Sequence, residues 1–175
     1  IRAIENDEIY PYFQPIKPAS ASNKLVIHEL LMRIHQDGKI VSAYEFIEIA
    51  EARGLINSMD LMVIEKAFKE IQRTQYEGIL FINLSPKSLI VGDFINKINA
   101  FVLKYEINKE KIVFEITERE TVKNFSLLEK FVHNLKADGY KFAIDDFGSG
   151  FSSFHYIKKF PIDYVKIDGD FIINI

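Results

Sequence analysis

Four apolar runs in this chain each end on a polar or charged residue: Gly78-Ile79-Leu80-Phe81-Ile82 on Asn83, Lys111-Ile112-Val113-Phe114 on Glu115, Phe142-Ala143-Ile144 on Asp145, and Asp163-Tyr164-Val165 on Lys166. The residues that end them lie 32, 30 and 21 positions apart. A period of about 30 residues, with helical pattern between the runs, is what repeated strand–helix units produce when parallel strands assemble into a sheet or barrel. In a (β/α)8 barrel the C-terminal strand ends face one mouth, so polar groups at those ends converge although they are far apart in sequence. The pattern therefore predicts an α/β chain of the TIM-like barrel class, and it places the chemistry at the strand ends.

Length limits that expectation. A complete (β/α)8 barrel takes about 250 residues, and this chain has 175, ending just after its last recognisable strand. It is expected to form a C-terminally incomplete barrel domain over residues 1–175, with about six strands present. The start carries no Met, which reads as an excised domain. Residues are 48% hydrophobic and 27% charged, the balance of one globular domain with a sizeable core. No apolar run approaches the roughly 18 residues of a membrane span, and no basic leader precedes an apolar segment, so membrane contact by this domain and export are not expected. The chain has no Cys, which fits a reducing cytoplasm and excludes thiolate metal sites. A net charge of -3 without a basic block argues against a duplex nucleic acid partner, whose phosphates need clustered Lys and Arg.

Strands are predicted at about 11–17, 25–34, 78–84, 112–117, 140–146 and 163–168. A polar loop from Lys17 to Lys24 joins the first two with no crossover helix, so they should pair antiparallel. Helices fill most gaps. Ser42 opens one through Phe46, Ile49 and Ala50 that ends near Gly54. Leu61, Ile64, Phe68 and Ile71 form the apolar stripe of a second over 58–73. Leu128, Phe131, Val132 and Leu135 do the same over 124–138, with Gly139 as its stop.

Asp145-Asp146-Phe147-Gly148-Ser149-Gly150 is the densest site signal. Successive strand residues point to opposite faces, so both aspartates reach one site only if the strand ends there and the chain turns, which the glycines permit. Taken alone, a turn whose aspartates cap the next helix explains the string as well. Glu29, Asn83 and Glu115 at other strand positions tip the balance, because all are hard oxygen donors of the kind Mg2+ or Mn2+ prefers. Carboxylates gathered at one mouth repel strongly unless divalent cations sit among them.

Glu29 on its apolar strand is either exposed at an edge or a ligand. Arg33, four residues on, shares its strand face and suits a carboxylate or a phosphate. Lys166 is either an edge-strand surface lysine or a cation beside the reacting water or phosphate. Glu118 lies an odd number of residues past Glu115, off its face, and is assigned to holding a loop. His28, His35, His133 and His155 show no mutual ligand spacing and read as structural or solvated. Tyr10, Tyr12 and Phe13 suit stacking on a base and core packing equally.

Six strings together resemble the EAL domains that hydrolyse cyclic di-GMP: Tyr12-Phe13-Gln14-Pro15-Ile16, Glu29-Leu30-Leu31-Met32-Arg33, Asn83-Leu84-Ser85-Pro86, Glu115-Ile116-Thr117-Glu118, Asp145-Asp146-Phe147-Gly148-Ser149-Gly150 and Lys166-Ile167-Asp168. They occur in the family's order across essentially the whole chain. One departure is Leu30, where the family usually has Ala, and two further strands that carry a metal-site Glu and a substrate-contacting Gln in the family are not in this chain. The resemblance implies a barrel with one antiparallel strand, two Mg2+ or Mn2+ ions, and hydrolysis of cyclic di-GMP to linear pGpG. By resemblance Glu29, Asn83, Glu115 and Asp145 hold one ion and Asp145 with Asp146 the second. Lys166 would position or stabilise the attacking water, and Glu118 would anchor the loop from Phe147 to Ser153. Gln14, Arg33 and Asp168 would touch substrate. The resemblance also implies a cytoplasmic signalling domain that forms homodimers, beside sensor or GGDEF domains of a parent protein that can itself be membrane-anchored. The competing reading is a catalytically silent cyclic di-GMP receptor or regulatory module, which the intact acidic set disfavours.

Overall fold

A computed structural model of the chain describes residues 1–20, 24–86, 88, 93–148 and 160–169. These fall into two compact units, Ile1–Ile82 with Lys87–Asn108, and Asn83–Pro86 with Lys109–Ile175.

The first unit is built on alternation. After a single turn of helix, α1 (Arg2–Glu5), strand β1 (Ile9–Pro15) pairs antiparallel with β2 (Ile27–Gln36) from Ile9↔Ile34 to Pro15↔His28. This is the antiparallel pair expected from the short polar loop. Ile9, Leu30, Met32 and Ile34 on one face of the pair are buried. Strand β3 (Lys39–Ser42) folds back on the end of β2, with Gln36 opposite Lys39, and the start of β2 pairs parallel with β4 (Ile79–Asn83). One edge of β2 is thus taken by β1, while β4 and β3 share the other.

The third strand raises the described strands to seven against the six expected. Its turn is Asp37-Gly38, with φ of 51° and 75°. Two consecutive positive φ values match the twist of a tight hairpin, and an Asp-Gly pair supplies them at least steric cost. Helix α2 (Ala43–Ala52) follows at once, with the Glu45 carboxylate accepting from the Ser42 backbone N–H at 3.0 Å, the reciprocal half of a capping box. Ile49 does not join its buried side but is 61% exposed.

Helix α3 (Ile56–Thr74) covers the buried face of β1 and β2 and packs against α4 (Phe94–Lys104). Its buried row is Ile56, Met59, Val63, Ile64, Ala67 and Phe68, whereas Leu61 and Ile71 are half-buried. The packed stripe is therefore turned from the one expected: Met59, Val63 and Ala67 are buried beside Ile64 and Phe68, where Leu61 and Ile71 were expected. Phe94, Ile98 and Val102 complete this core from α4.

The second unit is parallel. β5 (Ile112–Thr117) pairs with β6 (Lys141–Phe147), and β6 with β7 (Tyr164–Ile167), each in parallel register. The first five residues of β5 are all buried, which is why Ile112, Val113 and Phe114 run together rather than alternate, with Glu115 the charged residue among them. Two helices connect β5 to β6: α5 (Glu118–Lys123), capped by the Thr117 hydroxyl, which accepts from the Glu120 N–H, and α6 (Phe125–Ala137). Leu128, Val132 and Leu135 of α6 are buried as expected, and Gly139 ends the run with a φ of 94°. Phe114, Tyr140, Phe142 and Phe160 fill the remaining core.

Candidate active site

In the second unit the carboxylate of Glu115 is fully buried near the end of β5. The register Thr117↔Asp145 places Asp145 diagonally from it, on the same face of the sheet, since cross-strand partners in a pair point the same way. Oxygens of the two carboxylates come within 4.8 Å of each other. Lys166, on β7, reaches both: its Nζ stands 2.9 Å from Glu115 Oε2 and 3.0 Å from Asp145 Oδ2. Lys166 is accordingly no solvated edge lysine, with only 17% of its side chain exposed. Two anions share one ammonium in a site withdrawn from water, where electrostatic interactions are strong.

The strand does not end at the aspartate pair, as the sequence suggested; it bulges. Ile144 pairs with Val165 and Phe147 with Ile167, so Asp145 and Asp146 together face the single residue Lys166. This is a β-bulge, one extra residue that bends the strand and re-aims its side chains. Asp146 takes it up with a φ of 52°, a left-handed conformation in which Asp is among the more tolerant residues. Its N–H donates to Asp145 Oδ1 at 2.9 Å, and its side chain is exposed.

Glu118 is not on the strand at all. It is the first residue of α5, buried, and its Oε2 accepts the Gly148 backbone N–H at 2.9 Å. That bond ties the start of the segment after β6 to the helix after β5; residues 149–153 of the loop assigned to Glu118 lie outside the described residues. Asn83, exposed at the end of β4, precedes Leu84, whose N–H donates to the Glu115 carbonyl at 2.9 Å. This seats the chain just after Asn83 alongside β5. Asp168, just past β7, is half-buried and donates its N–H to the Phe147 carbonyl at 3.2 Å.

The first unit carries the other three expected residues, Gln14, Glu29 and Arg33. Glu29 is half-buried and stands between Gln14 on β1 and Phe81 on β4, so it is not an edge residue. Arg33 shares its face, with one guanidinium N–H donating to the Met32 carbonyl at 2.8 Å. Of the histidines, His28 pairs through Nδ1 with the Tyr76 hydroxyl at 2.8 Å, and His133 is exposed; His155 lies outside the described residues.

Asp60 escaped the sequence reading. It is buried on α3 and accepts the Ser88 hydroxyl at 3.0 Å. Burial pushes its carboxyl up from 3.8 to about 7, against the Ser88 hydrogen bond and with a contribution from the charge of Glu51. The signal was available, because Asp60 sits four residues after Ile56 and four before Ile64, on the apolar stripe itself.

Glu115 and Asp145 are hard oxygen donors, one of them fully buried, and such a pair suits Mg2+ or Mn2+ rather than a softer metal. Among known proteins, the cyclic di-GMP phosphodiesterase PdeB of Shewanella oneidensis is 36% identical over 99% of this chain, and the cyclic di-GMP phosphodiesterase PdeA of Borreliella burgdorferi is 35% identical over 98% of it. The chain spans 21% and 26% of the lengths of these two relatives. The crystal structure of the FimX EAL domain from Pseudomonas aeruginosa bound to c-di-GMP matches 99% of the chain and is covered over 72% of its own length, with a TM-score of 0.89 at 24% identity. That likeness shows the TIM-barrel-like EAL fold. The EAL domain family matches residues 1–175, and with a fold and relatives that agree, the chain belongs to the EAL domain family.

Proposed function

We propose that this domain is a metal-dependent phosphodiesterase that hydrolyses cyclic di-GMP to linear pGpG in bacterial second-messenger signalling. The observation that carries the reading is the buried Glu115 carboxylate, sharing the Lys166 ammonium with Asp145 in a domain whose relatives bear that activity in their names. A fully buried anion beside a second one is costly unless cations complete the site.

In this reading Glu29, Asn83, Glu115 and Asp145 hold one Mg2+ or Mn2+, and Asp145 with Asp146 holds a second. When bound, such ions polarise the phosphoryl oxygens and lower the pKa of the attacking water. Lys166 orients that water and neutralises charge gathering at phosphorus, from the position between two carboxylates that fixes its Nζ. Water adds to phosphorus, the bond to the 3′ oxygen breaks, and the 3′ hydroxyl leaves with a proton, giving the 5′-phosphorylated linear dinucleotide. Glu118 steadies the segment beyond β6 through Gly148. Gln14, Arg33 and Asp168 contact the dinucleotide. The reading also takes the domain as cytoplasmic, as able to form a homodimer, and as one part of a larger signalling protein with sensor or GGDEF domains; the small share of its relatives' length that it spans supports the last point.

Full-length protein incubated with cyclic di-GMP should yield pGpG with Mg2+ or Mn2+, and Ca2+ should inhibit, because its larger and looser coordination misplaces the reacting groups. Undiminished turnover in excess chelator would overturn the metal assignment. Tight binding of cyclic di-GMP without pGpG in Mn2+ would make the domain a receptor.

A further inference from the structure

The antiparallel ladder of the first unit sorts the aromatic residues ahead of Gln14. Gln14 faces Glu29, Tyr12 faces Leu31 and Tyr10 faces Arg33. Alternation puts these six and His35 on one face of the hairpin, and Phe13 on the other with buried Leu30, Met32 and Ile34. What separates Tyr10 and Tyr12 from Phe13 is the face rather than the exposure, 40% and 36% against 36%: the two tyrosines stand with Gln14, Glu29 and Arg33, opposite the side packed against α3.

These rings are nevertheless held in place. His35 stacks on Tyr10 with centroids 4.3 Å apart and planes at 28°, and its Nε2 is hydrogen-bonded to the Tyr12 hydroxyl at 3.0 Å. Lys66 Nζ lies 4.6 Å from the Tyr10 ring, and the Arg33 guanidinium 6.0 Å from that of Tyr12. A fixed, exposed aromatic surface flanked by cations is what a nucleobase stacks on, and the same surface discriminates little between bases because every base has a π face. Residues two apart in a strand are about 6.6 Å apart, so Tyr12 stands one step from Gln14 and within a nucleotide's reach of it.

We propose that Tyr12, fixed by His35, is the stacking surface for one purine base of the cyclic dinucleotide, with His35 a positioning residue that acts through the Tyr12 hydroxyl. This rests on the phosphodiesterase reading and adds to it the element that favours a base-bearing substrate. Two inhibitors isolate the base: GMP, and ribose 5-phosphate, which lacks it. On the full-length protein, Tyr12→Leu should raise KM for cyclic di-GMP by about 5- to 150-fold, far more than it lowers kcat, and should erase the preference for GMP over ribose 5-phosphate. Tyr12→Phe and His35→Ala each keep an aromatic ring at position 12 and lose the bond that fixes it, so both should fall between the parent and Tyr12→Leu. Mn2+ affinity should be unchanged in all three, which certifies the fold. A Tyr12→Leu protein with the parent's KM and GMP preference overturns the stacking role, as does a Tyr12→Phe protein that loses the preference while still binding Mn2+. A parent that ignores both cyclic di-GMP and GMP overturns the phosphodiesterase reading and this inference with it.

Discussion

The charged residues assigned to the site should each fail in their own way when removed. Lys166→Ala leaves Glu115 and Asp145 facing each other without their shared cation, and breaking a buried ion pair costs about 3–5 kcal/mol. The variant should therefore melt well below the parent in chelator, regain much of the difference in Mn2+, and still turn over slowly; equal melting with and without Mn2+ would contradict the assignment. Glu29→Ala should lose metal affinity and turnover together. Glu118→Ala removes the acceptor for Gly148, so it should keep metal binding and lose about 10- to 100-fold in rate. Calorimetric Mn2+ titration beside single-turnover hydrolysis separates the cases, and a Glu29→Ala protein that binds Mn2+ like the parent would exclude Glu29 as a ligand. At this scale the sequence singled out Glu115, Asp145 and Lys166 by their shared place at strand ends, although Asp145 and Lys166 each have a bland explanation when taken alone. Asp60 was overlooked although its place on the apolar stripe was legible, and the Tyr12–His35 bond was not legible at all, since it depends on which strand stands opposite.

Helix α3 carries the clearest pH dependence. The carboxyl of Asp60, raised from 3.8 to about 7 by burial, holds its proton in the folded state over a range where the unfolded chain has lost it. The stability that this neutral carboxyl contributes is thus fully present below its unfolded value and is lost as pH rises through about 7. Asp60→Asn keeps the acceptor for the Ser88 hydroxyl and removes the titration, so at pH 8 it should be more stable than the parent, by up to a few kcal/mol. Urea denaturation at pH 4 and pH 8 measures it, and a difference that does not grow with pH would show that Asp60 titrates normally. Elements were legible in proportion to how far they answer to local pattern. β5 reads off its apolar run and α6 off its periodic stripe. β3 was missed because four residues with an exposed Ile40 carry no pattern, although Asp37-Gly38 announced its turn. The bulge in β6 has no signature in its own strand, since it exists only against the register of β7.

For the molecule as a whole, the barrel class was legible because a 30-residue repeat of strand ends is a property of topology rather than of any single contact. How the strands meet was not, because register is decided by packing between segments far apart in sequence. If the acidic site takes a cation in the folded state alone, mass action links binding to folding: at about 100 times the dissociation constant, Mn2+ should add roughly 2.7 kcal/mol of stability. Ca2+ should stabilise as well while suppressing hydrolysis, and a melting temperature indifferent to both ions would count against a metal site. The bulge also supplies a spectroscopic handle. The Asp146 amide proton points at Asp145 Oδ1, so any cation that draws electron density from that carboxylate weakens the hydrogen bond, and in a nitrogen–proton correlation spectrum this one backbone signal should move with site occupancy even before turnover is measured.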